Sequence, residues 1–339
     1  FHHAGTQVHR FLNSIGGYVS SRGTYSAGTA ETLIPHVLGR AFFDVTFNAQ
    51  NSWETIARHT ETLVMFGGIN QKNSQVSLGG ITRHQTRDWL QKFSDSGMNL
   101  INVSPQRSDT TPNARWMSII PGTDTAMMLG IAHFLDTQDL VDREFLERCT
   151  EGYEVFQNYL LGDIDGEPKD CRWASKICGI EEASIQDLAK LMANTRCLIT
   201  VAWSLQRAEF GEQPFWMATV LAAMLGQIGL PGGGIGYGYG AIAGVGNAYI
   251  NLNGLALSEG ENAVTEFIPV ARIADMLMCG GEEYEFNGTK RTYPNIELVY
   301  WCGGNPFHHH QDLNRLRLAW QKPKTIIVHE PWWTSTARH

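Results

Sequence analysis

The turn Gly23-Thr24-Tyr25-Ser26-Ala27-Gly28 offers the first side chain placed to do chemistry. It precedes a helical pattern carrying Ile34, Val37 and Leu38, so by itself the Ser26 hydroxyl reads as a helix cap. The G-x-S-x-G elbow of a hydrolase nucleophile is absent, which disfavours attack by this serine. Gly122-Thr123-Asp124 follows a strand-like stretch at 116–120 and opens a helix. A carboxylate there can accept paired hydrogen bonds from a guanine edge, or simply answer the helix dipole. Lys72 comes after an apolar run and Gly67-Gly68, where it would either meet a phosphate or stay solvated. In Trp203-Ser204-x-x-Arg207, also after an apolar run, Arg207 suits a phosphate or a fused heterocycle, with a surface ion pair as the ordinary alternative.

Two other clusters are less than they look. Adjacent residues of His308-His309-His310 point in different directions, so three consecutive imidazoles do not close around one ion. A polar ligand contact by one of them is the better reading, because the run follows the strand-like residues 298–301. The glycines at 234, 236, 238 and 240 suggest a dinucleotide fingerprint, but that motif needs a strand before it and a helix after it. Here a helical pattern comes before, and irregular chain follows. A loop passing close to a large ligand fits better, beside a plain flexible loop.

The elements that must position these residues alternate. Residues 63–66, 100–103, 197–202, 298–301 and 325–328 read as short buried strands. Between them, Trp89, Leu90 and Phe93 mark a helix stopping at Gly97. Met127, Met128, Ile131 and Leu135 mark a second, and Ile185, Leu188 and Leu191 a third, with Ser184 as its expected N-cap. Residues 215–225 are apolar nearly all round and read as a buried helix. The expected fold class is α/β, as two interleaved doubly wound, Rossmann-like parallel-sheet domains.

Composition narrows the classes further. A chain of 339 residues with 43% hydrophobic residues can bury two cores. The net charge of −8, with both signs scattered, argues against a nucleic-acid footprint. No apolar run reaches membrane-span length. The six cysteines include no C-x-x-C pair, so neither an iron–sulfur cluster nor a structural zinc is expected within the chain, and the thiols read as small buried hydrophobes. Phe1 is not an initiator methionine and no signal peptide precedes the first helical pattern. The chain is expected to be a fragment.

Taken in order, several segments resemble the dimethyl sulfoxide, trimethylamine N-oxide and biotin sulfoxide reductases, from end to end. They are Gly23-Thr24-Tyr25-Ser26 with Pro35-His36-Val37, Gly122-Thr123-Asp124, Trp203-Ser204-Leu205-Gln206-Arg207, Gly211-Glu212-Gln213 and the glycine-rich run from Leu225 to Gly234. Gly303-Gly304-Asn305-Pro306-Phe307, His309-His310-Gln311-Asp312, Trp333-Thr334 and Ala337-Arg338-His339 complete the set.

The resemblance implies a molybdenum oxotransferase that reduces an S-oxide or N-oxide by oxygen-atom transfer to the metal of a bis(molybdopterin guanine dinucleotide) cofactor. Ser26 would be catalytic as the protein ligand to molybdenum, an alkoxide being a hard donor suited to a high-valent metal. Relatives with cysteine, selenocysteine or aspartate in that place are disfavoured. Lys72, Asn73, Val103, Ser104, Gly122, Thr123 and Asp124 would hold one guanosine diphosphate arm. Trp203, Ser204, Arg207, Asn305 and His309 would contact the pterins, and His329 and Glu330 a second guanine dinucleotide. Asn73, His329 and Glu330 differ in type from what the family leads one to expect. Residues 39–202 would form one α/β domain inserted into a discontinuous one made of 1–38 and 203–339. Stretches 39–53, lengthened, and 241–257, unlike the relatives, are expected near the substrate funnel. The implied partners are a small S-oxide or N-oxide and an electron-donor protein. The compartment is bacterial, cytoplasmic or periplasmic, leaning to the latter. A nicotinamide-dependent dehydrogenase and a non-catalytic α/β binding domain stay open as alternatives.

Overall fold

A computed structural model describes residues 4–76, 83–109, 111, 113–247 and 257–339. In chain order the described strands are β1 (Ser20–Arg22), β2 (Thr62–Phe66), β3 (Asn99–Val103), β4 (Arg115–Met117), β5 (Cys197–Val201), β6 (Gly234–Tyr237), β7 (Phe267–Pro269), β8 (Glu283–Phe286), β9 (Thr289–Thr292), β10 (Leu298–Cys302) and β11 (Thr325–His329). The chain divides into two compact units, 29–250 and 1–28 with 251–339.

The larger unit is built on one sheet of order β4-β3-β2-β5-β6, parallel throughout. All five residues of β2 and all five of β5 are buried, as strands with both faces covered must be. On one face Leu63, Met65, Leu100 and Leu198 pack with Trp53, Ile56, Leu90 and Phe93, which come from the helices Trp53–His59 and Thr86–Asp95. The helix Glu212–Met224 covers β5 and packs on the helix Asp124–Thr137, whose Met127, Met128, Ile131 and Leu135 are all buried. Gly97 ends the Thr86–Asp95 helix at φ 79°, the left-handed backbone that favours glycine after a helix. From β2 the chain steps outward through β3 to β4, then returns to β5 on the other side of β2. The switch point of this doubly wound sheet therefore lies between β2 and β5, where α/β folds open a ligand crevice at the strands' carboxyl ends.

Two local expectations are corrected. Residues 234–237 form the edge strand β6 and not a loop, paired with β5 from Leu198↔Gly234 to Val201↔Tyr237. Glycine is needed there, because a Cβ on Gly236 would lie 2.5 Å from the Tyr239 ring. The outer edge of β6 is capped by a side chain: Gln50 Oε1 accepts from Tyr237 N at 2.8 Å, and Gln50 Nε2 donates to Tyr237 O at 3.2 Å. Ser184 is not an N-cap. The helix begins at Glu182 with Glu181 before it, and the Ser184 hydroxyl accepts from Arg115 Nη2 at 3.1 Å.

In the smaller unit β10 and β11 pair in parallel from Leu298↔Thr325 to Cys302↔His329, and β1 pairs in parallel with β7. β8 and β9 form a hairpin through Asn287 and Gly288, both at positive φ, as a two-residue primed turn requires. Ile268, Tyr284, Tyr293, Phe307, Leu316 and Trp320 make its core.

The joints between units fall at 28/29 and 250/251, away from the 38/39 and 202/203 read from sequence. The reason is physical: β6 hydrogen-bonds β5, and the Glu212–Met224 helix lies on β5, so residues 203–247 belong with the sheet they cover. Residues 248–256, within the stretch singled out at 241–257, lie outside the described residues.

Candidate functional site

In the larger unit every sequence-nominated residue lies at or beyond a carboxyl end of the parallel sheet. Beyond β2, Gly67 and Gly68 take φ of 80° and 72°. A Cβ on Gly67 would meet that of Ala202 at 2.7 Å, so glycine lets the β2 and β5 exits lie against each other. Asn70 Oδ1 then accepts from Lys72 N at 2.8 Å, and Lys72 and Asn73 stand exposed. Beyond β3, Val103 and Ser104 are buried, and the Ser104 carbonyl accepts from Trp116 Nε1 at 2.8 Å. Beyond β4, Gly122 turns the chain at φ 80° into the helix opened by Asp124, with Thr123 as its N-cap residue.

Asp124 is the electrostatic outlier. It is only 3% exposed, and burial pushes its carboxyl up to about 6. Among the described residues no Lys or Arg forms an ion pair with it. Burial penalises its charged form, and its own backbone N–H offsets only part of that. Beyond β5, Trp203 is 7% exposed, and its indole Nε1 has no hydrogen-bond partner among the described residues. Gly238 makes the room: at φ 77°, its Cβ would collide with Trp203 Nε1. Ser204 is exposed on the same short 3-10 helix, and partial burial pulls the Arg207 guanidinium pKa down. Thr29, just downstream of Ser26 in sequence, donates its N–H to Gln206 Oε1 at 2.8 Å.

The smaller unit brings a second set together. Ser26 is exposed on a turn that Thr24 shapes: Thr24 Oγ1 accepts from Ala27 N at 3.2 Å, and the Thr24 carbonyl accepts from Gly28 N at 2.9 Å. Thr24 thus accepts backbone hydrogen bonds through both its hydroxyl and its carbonyl at this turn. The neighbouring Tyr25 reaches the histidine segment. Its Oη lies 2.7 Å from His310 Nδ1, and its ring centroid 6.3 Å from that of His309. His309 is exposed and His310 buried, so the run splits its roles, as consecutive residues must. No cluster of three metal-ligating side chains occurs among the described residues. Beyond β10, Gly303 and Gly304, both at φ 72°, lead to Asn305. Asn305 Oδ1 accepts from both N and Oγ1 of Thr336, at 3.2 and 2.5 Å. His329 ends β11 with its ring 5.0 Å from Tyr300, and Glu330 follows it. Asn305, His309, His329 and Glu330 therefore all leave the carboxyl end of the β10–β11 pair.

Ser26, Asn305, His309, His329 and Glu330 thus belong to one unit, and Lys72, Asn73, Val103, Ser104, Gly122, Thr123, Asp124, Trp203, Ser204 and Arg207 to the other. Sequence reasoning did not nominate Tyr25, His310 or Thr336; Tyr25 and His310 adjoin nominated residues, and Gly238 belongs to the glycine run read as passing close to a ligand.

The chain belongs to the molybdopterin oxidoreductase family, whose model matches residues 1–339. It is 47% identical over 341 residues to the biotin sulfoxide reductase of Cereibacter sphaeroides, covering all of this chain and 45% of that protein. It is 40% identical over 350 residues to the trimethylamine-N-oxide reductase of Haemophilus influenzae, covering 99% of this chain and 42% of the relative. With the dimethyl sulfoxide/trimethylamine N-oxide reductase of Rhodobacter capsulatus the figures are 40% over 350 residues, 100% and 42%. The chain thus spans less than half the length of these relatives. Among solved structures, acetylene hydratase from Pelobacter acetylenicus matches 66% of this chain and 28% of its own, at 21% identity and a TM-score of 0.45.

Proposed function

We propose that the intact protein reduces an S-oxide or N-oxide, R2SO or R3NO, with two protons and two electrons to give the sulfide or amine and water. The observation that carries the reading is the likeness along the whole chain to proteins named as S-oxide and N-oxide reductases. The electrons would come from a donor protein. The group that does the chemistry is a molybdenum held by two molybdopterin guanine dinucleotides, which supplies two-electron oxygen-atom transfer when bound.

The residues fit that group. Asp124 offers a buried, cation-free carboxyl of raised pKa, and a guanine edge supplies two parallel N–H donors to satisfy it. Lys72 is an exposed ammonium beyond β2, beside the switch point, where it would meet the phosphates of that arm. Asn73, Val103, Ser104, Gly122 and Thr123 would line the same arm. Trp203 Nε1 is a buried donor without a partner, suited to an acceptor on the pterin. Ser204 and Arg207 of the larger unit are further candidate pterin contacts, as are Asn305 and His309 of the smaller, and His329 and Glu330 are candidates for the second guanine arm. Ser26 gives the metal its protein oxygen, the metal's charge favouring loss of the hydroxyl proton.

The test is turnover of an S-oxide or N-oxide by the full-length protein, normalised to bound molybdenum, in wild type and Ser26→Ala. The expected outcome is a collapse of turnover with metal and guanine nucleotide content retained. A Ser26→Cys variant should recover part of the ligation through a softer thiolate. Equal turnover per metal in wild type and Ser26→Ala would remove Ser26 from the metal.

A further inference from the structure

We propose that the hydrogen-bonded pair Tyr25–His310 is a positioning device that holds the Ser26 turn in place for ligation, an inference that rests on Ser26 being the metal ligand. Tyr25 is half-buried, and its Oη lies 3.0 Å from the Val270 carbonyl oxygen and 2.7 Å from His310 Nδ1. A phenol carries one proton, and a carbonyl only accepts. Both contacts are satisfied when Oη donates to Val270 O and His310 Nδ1–H donates to Oη. His310 is then the tautomer with its proton on Nδ1.

The pair joins separate stretches of the smaller unit. His310 is 8% exposed, and its backbone N–H donates to the Pro306 carbonyl at 2.8 Å, closing the short helix Pro306–His309. Val270 follows β7, which pairs with β1 just upstream of the turn. One phenol oxygen therefore ties the turn to the exit of β7 and to the histidine segment beyond β10. The bonds made by Thr24 fix the shape of the turn; the phenol fixes its place within the unit. Gly23 opens the turn at φ 72°, with open space where a Cβ would stand. A ligating oxygen has to be held to about 0.5 Å, so the residue next to Ser26 is where an anchor acts most directly.

The experiment uses the full-length holoprotein and four variants: Tyr25→Phe, His310→Gln, His310→Asn and Ser26→Ala. Asparagine places its amide N–H near the position of His310 Nδ1–H, whereas glutamine reaches the Nε2 position. Tyr25→Phe and His310→Gln should keep their molybdenum and guanine nucleotide and leave KM within about twofold of wild type. Their kcat per metal should fall by about tenfold, as expected for a misplaced reacting group. The EPR signal of the reduced metal should broaden in both. His310→Asn should recover the wild-type signal and most of kcat, a rescue that a space-filling role for His310 would not give. Wild-type EPR and kcat in both Tyr25→Phe and His310→Gln, with Ser26→Ala altering both readouts, would overturn the positioning role alone. An unaltered Ser26→Ala signal would instead overturn the ligand reading, and this proposal with it. If His310→Gln fails to fold, Tyr25→Phe, which removes a single oxygen, decides the question.

Discussion

Replacing Asp124 by asparagine separates two consequences of burying that carboxyl. In the cofactor-free protein the group is a liability: at 3% exposure its pKa rises from 3.8 to about 6, because burial penalises the charged form. At 1.36 kcal/mol per tenfold, that displacement amounts to about 3 kcal/mol. A carboxyl whose pKa is raised on folding stabilises the fold when protonated. Its contribution is full below 3.8 and is lost as pH rises through about 6. Cofactor-free wild type should therefore gain stability from this group as pH falls from 7.5, about half of it by pH 5 and most of it by pH 4. The Asp124→Asn variant lacks the titration. It should be more stable than wild type by about 1–3 kcal/mol at pH 7.5, with the advantage shrinking towards pH 4.

In the holoprotein the sign reverses. The amide NH2 would face the guanine donors and replace a charged acceptor, which should cost roughly 1.5–3 kcal/mol of cofactor affinity. The assay is urea unfolding of full-length, cofactor-free wild type and variant at pH 7.5, 5 and 4, beside guanine nucleotide content of the purified holoproteins. A variant less stable than wild type at pH 7.5 would refute the desolvation argument. Unchanged nucleotide content would refute the guanine role on its own.

Two further perturbations test how the larger unit holds its strand ends. Asp136, buried on the helix that Asp124 opens, accepts from Tyr153 Oη at 2.8 Å and Gln157 Nε2 at 3.0 and 3.1 Å, and pairs with Arg143 Nη2 at 2.9 Å. Asp136→Ala strands those donors and should cost about 3 kcal/mol, read as a lower urea midpoint with unchanged m. Gly238→Ala puts a methyl onto Trp203 Nε1 at a backbone φ of 77°. It should cost about 1–3 kcal/mol and shift the fluorescence of Trp203, measured against a Trp203→Phe control.

The strands covered on both faces were legible, and so were β10 and β11, whose residues are all part-buried or exposed. β2, β3 and β5 are runs of apolar, β-branched or long side chains, and each was expected within a residue of its observed ends. β6 was not legible, since three of the residues around it, Gly234, Gly236 and Gly238, carry no side chain and so no hydrophobic period. Its existence depends on β5 from one side and the Gln50 amide from the other, partners distant in sequence. The joint read at 202/203 differs from the division at 250/251 for the same reason. It was placed where β5 ends, before the one strand and the one helix that the sheet still had to acquire.

At the candidate site the sequence carries residue type and not state. Asp124 admitted two readings from sequence, a guanine acceptor or a partner for the helix dipole, and both place a carboxylate in the first turn. What residue type does not carry is state: at 3% exposure the carboxyl loses its water and its pKa rises. His310 shows the limit from the other side. Its run reads from sequence as a polar ligand contact by one histidine, not as three ligands to one ion. Its partner, Tyr25, lies 285 residues away, and no local period or motif encodes a bond across that separation. What the sequence does contain is each half of the pair beside a nominated residue, Tyr25 next to Ser26 and His310 next to His309. A side chain adjacent to a ligating position points away from the ligand, which leaves it free to anchor the backbone that presents the ligand.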